Sequence, residues 1–252
     1  MTIRELVEQK AELVKLKKAA TKFTDGWCTP SVGEVVSKGV ISKASDSDVI
    51  NKTIVGNTYY WMDSHEDVHV KGCFKKSIQE TKKIFHLHDH EFKISSQVGD
   101  ISKAYEKELL WSTFGVNKEG STTALLADSD IKKEYNKLIF EHYNTNKIDQ
   151  HSVGMQYVNI ELAVNDEDYS DEYKAWAEIF PMLGNPQAAL DKGYFWIVRE
   201  CKLVEISAVL MGSNSLTPTL EDKQEPFNDT LASKEVAEQS LRVNQMFNNL
   251  KF

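Results

Sequence analysis

Apolar residues recur at helical spacing near both ends of the chain. Ile3, Leu6, Val7, Leu13, Val14 and Leu16 form one such stripe, which predicts a helix over residues 2–22. Thr2 followed three positions later by Glu5 is a capping-box pattern, which marks the start of that helix. Residues 231–250 carry sparser apolar positions and predict a final, more polar helix.

Between the two ends, short runs rich in Val, Ile, Thr and aromatic residues alternate with clusters of Ser, Asp, Asn and Gly. This texture is typical of short strands joined by turns. A short helix is expected after Gly72, and a longer one over residues 129–144, where Ile131, Tyr135 and Leu138 share a face. The predicted strands lie around residues 35–41, 54–55, 59–62, 84–88, 97–101, 108–116, 157–162, 194–198 and 201–210.

These elements divide the chain into three parts. Residues 1–29 form a helical N-terminal extension, and residues 30–212 form a body of mixed α and β structure. An acidic, then helical stretch with proline and glycine breakers, residues 165–192, interrupts the body as an insertion. A Ser/Thr/Pro/Asp-rich linker and the last helix occupy residues 213–252. The strands follow one another in antiparallel-looking runs, so the fold class is α+β.

Composition narrows the classes of protein that fit. The 252 residues are 41% hydrophobic and 27% charged, as in an ordinary soluble globular protein. A net charge of −8 and a pI near 5.5 argue against a nucleic-acid binder. No stretch approaches the ~20 apolar residues of a membrane span, and no signal-peptide core is expected at the N-terminus. Three widely spaced cysteines, Cys28, Cys73 and Cys201, argue against both a disulfide framework and a CxxC zinc site.

The candidate chemistry lies in three places. Ser152 and Gly154 stand where a charged segment gives way to a strand, and Gly lets another backbone approach closely. His86, His88 and His90 occupy every second position of one stretch. Glu205 lies within an otherwise apolar predicted strand. Ser, His and an acid on separate elements are the components of nucleophilic acyl transfer.

Each component also has a plainer explanation. A Ser-Val-Gly triplet alone is most often a turn. Three alternating imidazoles on one strand face also suit zinc. Glu205 needs a buried partner, and His88, Arg199 or Lys202 would each serve.

A literal H-E-x-x-H occurs at residues 65–69. In zinc proteases that motif works because a helix places both imidazoles one turn apart. Here no apolar helical stripe surrounds it, and we expect a polar turn between strands.

Four stretches, in this order, resemble the prohead (capsid maturation) serine proteases of tailed phages, the HK97-type peptidases that share a fold with the herpesvirus assemblins. They are residues 67–78 (DVHVKGCFKKSI), 84–89 (IFHLHD), 151–155 (HSVGM) and 204–209 (VEISAV). The resemblance covers residues 30–215. Insertion 165–192 is longer than in the family, and Met211 and Gly212 stand where the family has a Pro-Ala-Asn-like end.

The resemblance implies a mostly antiparallel β-barrel core of the herpesvirus-protease type with surrounding helices. It also implies Ser152 as nucleophile, His88 as general base and Glu205 as third member of the triad. Because assemblins use a second His as third member, His86, His90 and His151 stay open as alternatives to Glu205. No cofactor and no metal are implied.

The function implied is a maturation endopeptidase in the host cytoplasm, inside the phage procapsid. It would cleave scaffold protein, segments of the major capsid protein and itself, and would self-associate, with no nucleic-acid or membrane partner. Two alternatives stay open: a non-catalytic capsid-assembly or scaffold protein on the same fold, and a zinc hydrolase using His65 and His69.

Overall fold

The described part of the chain contains six α-helices and nine strands. The computed structural model describes residues 1–22 and 47–220. The helices are α1 (Ile3–Glu8), α2 (Lys10–Ala19), α3 (Lys75–Glu80), α4 (Lys137–Asn144), α5 (Ser170–Ile179) and α6 (Pro186–Lys192). The strands are β1 (Thr21–Lys22), β2 (Val49–Thr58), β3 (Asp67–His69), β4 (Phe85–His88), β5 (Gln97–Leu110), β6 (Ser121–Lys132), β7 (His151–Val164), β8 (Tyr194–Ala208) and β9 (Thr219–Leu220).

In this part of the chain the nine strands form one sheet, in the order β1-β7-β8-β4-β5-β6-β2-β9, with β3 also paired to β8. Neighbours are antiparallel except β3 and β4, which both run parallel to β8. The predicted α+β class with mostly antiparallel strands is therefore confirmed. The parallel pairs matter because they bring the ends of β4 and β8 to the same place.

The predicted closed barrel is wrong for the described residues. The hydrogen-bonded order begins at β1 and ends at β9, because these two-residue strands occupy the outer edges of β7 and β2. The sheet instead curls over itself. A Cβ added to Gly56 on β2 would lie 3.2 Å from Val153 and 3.1 Å from Ile206, so β2 packs face to face on β7 and β8.

Three buried clusters of described residues pack against this sheet, and the third surrounds Trp111. The largest fills the space inside the curl, with Ile54, Leu125, Val153 and Ile206 among its members. The second lies under α5 and α6, where Trp176 stacks on Phe180 and packs against Phe195. The stretch predicted as an insertion between strands, residues 165–192, is therefore a helical layer with its own apolar contacts.

The N-terminal helices pack on the body rather than extending away from it. The capping box predicted at Thr2 is present, and Leu6 is buried in the core. Lys17 on α2 donates to the buried carboxylate of Asp67 at 2.7 Å and lies over the rings of Tyr157 and Trp196. Both α1 and α2 are thus held by apolar and charged contacts, with a break at Gln9 that the pattern did not predict.

The helix predicted over residues 129–144 is wrong in its first half. Residues 129–132 are the end of β6 and pair with β2, residues 129–131 also pair with β5, and the helix begins only at Lys137. Residues 111–114 are a 3₁₀ turn instead of a strand.

The body also continues past residue 212, since β9 pairs with β2. The strand expected near residues 35–41 and the helix expected over 231–250 lie outside the described residues. No helix in residues 1–22 and 47–220 is both long and apolar enough to cross a bilayer.

Candidate functional site

Strand register decides which of the candidate side chains share a face. On adjacent strands β7 and β8, Ser152 lies opposite Ser207 and Gly154 opposite Glu205. Residues directly opposite each other point to the same side of a sheet, and residues two apart do so along one strand. Ser152 and Glu205 therefore share one face, with Ser207 between them in the register.

His88 falls on the other face. His88 lies opposite Ala208 on β8, and Ala208 lies opposite His151 on β7. Consecutive residues of a strand point to opposite faces of the sheet. His88 therefore shares the face of His151, and Ser152 lies on the other face. Its Nδ1 is 3.0 Å from Oδ2 of the neighbouring Asp89. The expectation that His88 orients toward Glu205 does not match this geometry.

The imidazole that reaches Glu205 is that of His90. Asp89 and His90 have φ angles of 52° and 55°, left-handed values that non-glycine residues adopt only rarely, with Asp and His among the more tolerant. This turn ends the alternation of β4 and brings the chain back over the sheet. The His90 N–H donates to Ser207 Oγ at 3.1 Å, and His90 Nδ1 lies 2.6 Å from Glu205 Oε1.

Glu205 is completely buried, and both of its oxygens are engaged. Ser207 Oγ donates to Oε2 at 2.6 Å while His90 Nδ1 contacts Oε1. A carboxylate only accepts hydrogen bonds, so Nδ1 carries a proton, and when the ring is neutral Nε2 is the nitrogen that can accept one. Gly154 makes room for this group, since a Cβ there would collide with Oε1.

Ser152 and Glu205 thus lie on one side of β7 and β8, and the His90 ring contacts Glu205 on that same side. All three are buried, with Ser152 5% and His90 8% exposed. Chemically this is a hydroxyl, an imidazole of fixed tautomer and an orienting acid, the set that activates a nucleophile.

Sequence patterns missed the parts played by His90 and Ser207. In the sequence His90 is only one of three alternating imidazoles, and the alternation fails at the left-handed turn after His88. The sequence signal for Ser207 is its spacing: it lies two residues after Glu205 on the same strand, so both point to one face.

The H-E-x-x-H stretch has no helical geometry. Glu66 has a φ of 58°, and His69 belongs to β3. His69 Nδ1 lies 3.4 Å from the Asn57 amide, and its ring stacks on Phe74. Within residues 1–22 and 47–220 there is no group of three His, Cys, Asp or Glu side chains arranged to hold a metal ion.

On the opposite face, inside the curl of the sheet, lies a chain of buried polar groups. His151 Nδ1 is 2.8 Å from the carbonyl of Thr217, which can only accept, so His151 Nε2 accepts from Tyr143 OH at 2.8 Å. The Tyr143 oxygen then accepts from His86 Nε2 at 3.0 Å, and His86 Nδ1 accepts from Ser129 Oγ at 2.7 Å. Every ring nitrogen is satisfied when both imidazoles are neutral.

Burial makes these two histidines hard to charge. Desolvation lowers the pKa of His86 to about 3, with a smaller contribution from the nearby His151. Desolvation also lowers the pKa of His151 to about 4, although its hydrogen bond to Thr217 opposes the shift. The same burial raises the pKa of Tyr143. This network is a structural element of the core, separate from the Ser152 face.

Comparison of the chain with protein-family models, with curated proteins and with solved structures gave no significant match. The geometry of the Ser152 face and the motif resemblance are therefore the two grounds for proposing a function.

Proposed function

We propose that the protein is a serine endopeptidase in which Ser152 is the nucleophile, His90 the general base and Glu205 the orienting acid. The observation that carries this proposal is the 2.6 Å contact between His90 Nδ1 and Glu205 Oε1 on the face that Ser152 shares. That contact fixes the tautomer in which Nε2 can take a proton from a hydroxyl.

In the proposed reaction His90 Nε2 removes the Ser152 proton as Oγ attacks a peptide carbonyl. Glu205 holds the ring and stabilises the imidazolium that forms. The proton then passes to the leaving amine, and water hydrolyses the acyl-enzyme with the same base. Ser207 acts as a positioning residue, because it bonds both the Glu205 carboxylate and the His90 backbone.

The motif resemblance supports a more specific role. We infer a prohead maturation protease that acts on scaffold and capsid-protein segments inside a phage procapsid. This inference depends on the four short stretches and their order, with His90 in place of His88 as the base.

A second candidate follows from the burial of the site. With Ser152 and His90 each more than nine-tenths buried, a substrate must displace covering groups before Ser152 can react. A non-catalytic capsid-assembly protein on this fold would need no such displacement.

Labelling of the full-length chain with a fluorophosphonate tests the proposal without a known substrate, since such probes react with activated serines. We expect labelling of wild type, and of His88→Gln, but not of Ser152→Ala or His90→Gln. Co-expression with capsid and scaffold proteins should show cleavage with the same pattern. Circular dichroism and thermal unfolding establish that each variant folds.

Equal labelling of wild type and Ser152→Ala would refute the nucleophile. Loss in His88→Gln with retention in His90→Gln would restore His88 as the base. If folded wild type neither labels nor cleaves, the non-catalytic candidate is favoured.

A further inference from the structure

One edge of β5 has no partner strand along most of its length. β6 pairs with β5 as far as Leu110, but β4 pairs with it only over residues 97–100. Among the strands of residues 1–22 and 47–220, none pairs with that second edge over residues 101–110. A strand edge of this length presents a row of backbone donors and acceptors to whatever lies beside it.

A groove runs beside this edge where β4, if it were longer, would lie. It has a volume of about 470 Å³ and separates β5 from α3. Its lining includes Ile78, Ala104 and Tyr105, together with Lys71, Gly72 and Lys75. The groove is thus partly apolar and adjacent to unpaired backbone.

The charged side chains that line this groove are Lys71, Lys75 and Glu106, two positive charges against one negative charge. Glu106 Oε1 accepts from Tyr59 OH at 2.8 Å and from the Gly72 N–H at 3.2 Å. Lys71 and Lys75 are exposed, and neither side chain takes part in an ion pair with the described residues. Lys103 and Lys107 on the same strand are also exposed, as is Glu108.

We propose that this groove binds an extended, acidic peptide segment that adds to the edge of β5 as a further strand. Strand addition uses the backbone for affinity and alternate side chains for specificity. Glu or Asp side chains at alternate positions would face Lys71 and Lys75, while small apolar residues would occupy the other face of the added strand.

The same lysines argue against a second copy of β5 as the occupant. In the antiparallel register centred on Tyr105, two such edges would bring Lys103 of one copy against Lys107 of the other, and edge lysines commonly prevent self-pairing in this way. An acidic segment reverses that repulsion. None of the groove-lining residues belongs to the Ser152 site, so this proposal does not depend on catalysis.

Fluorescence anisotropy of a labelled, end-blocked decapeptide of alternating Glu and Val, titrated with the full-length protein, tests this proposal. We expect binding that weakens with added salt, and at least tenfold weaker binding by Lys71→Glu/Lys75→Glu. The matched control is Lys15→Glu/Lys18→Glu, which makes the same charge change on exposed positions of α2 and should bind as wild type does. Hydrogen exchange should show added protection in residues 101–110.

A Lys/Val decapeptide should not bind, and an acidic decapeptide N-methylated at alternate residues should lose binding because its backbone can no longer donate. Equal weakening by both charge-reversed pairs would mean general electrostatic attraction and would overturn the groove as the site. Undiminished binding of the N-methylated peptide would overturn strand addition. If the peptide does not bind even at millimolar protein, the proposal is refuted, and the lysines serve only to prevent the edge from pairing with another copy of itself.

Discussion

The buried pair His86 and His151 should make the stability of this protein depend steeply on pH. In the unfolded chain each imidazole has an ordinary pKa near 6.5, whereas in the folded protein the values are about 3 and about 4. At pH values between the folded and the unfolded pKa of each imidazole, the unfolded state binds a proton that the native state does not. Stability conferred by the neutral pair is therefore present above pH 6.5 and is lost as the pH falls toward 4.

The magnitude follows from the two shifts. Lowering the pH from 7 to 5 reduces the free energy of unfolding by about 2 kcal/mol for each such histidine, and therefore by about 4 kcal/mol for the pair. That is a large share of the 5–15 kcal/mol by which natural domains are stable. Urea unfolding at pH 7.0, 6.0, 5.5 and 5.0, followed by far-UV circular dichroism, would measure it.

Variants separate this effect from the titration of carboxylates. His151→Gln and His86→Gln should each lose about 2 kcal/mol less than wild type over the same pH range, because each removes one imidazole. Tyr143→Phe is the matched control. It should lower stability at every pH by about 1–3 kcal/mol, since it strands two buried ring nitrogens, yet keep the wild-type pH dependence. If both Gln variants retain the full pH dependence, the assignment of neutral buried imidazoles is refuted.

Two further substitutions probe contacts on the other face and at the N-terminus. Gly154→Ala should lower the unfolding free energy by about 1–3 kcal/mol, because its methyl group must displace the Glu205 carboxylate; urea unfolding with wild-type stability would contradict the close approach. Lys17→Met should cost about 3 kcal/mol, because it removes a cation from the buried Asp67, whereas Lys18→Met at the exposed neighbouring position should be neutral. Thermal unfolding of the two lysine variants side by side decides this, and equal melting temperatures would show that the Asp67 contact contributes nothing.

Local patterns in the sequence predicted much of the secondary structure. The capping box at Thr2 and the strand ending at His88 both appear as predicted, because each depends on neighbours within a few residues. The helix expected from residue 129 failed for a non-local reason. Ser129 and Ile131 alternate in a way that fits a strand equally well, and pairing with β2 and β5 decided the outcome.

In the candidate site, too, the residues marked by their near neighbours were predicted and those that depend on distant parts of the chain were not. Ser152 and Glu205 could be picked out because each stands out against its local context. The choice between His88 and His90 depended on a left-handed turn at two non-glycine residues, for which a single sequence holds no dependable mark. Closure of the barrel was likewise undecidable locally, because it depends on which segments occupy the outer edges of β7 and β2.

The attachment of the N-terminal helices has a consequence for biosynthesis. A ribosome makes α2 before the groups that hold Lys17 in place, namely Asp67, Tyr157 and Trp196, which emerge from the exit tunnel much later. The amphipathic segment must therefore wait, without its complete docking surface, until the chain as far as Trp196 has been synthesised. During that interval its apolar stripe is open to chaperones, and native docking of α2 must follow synthesis of the strands on which it packs.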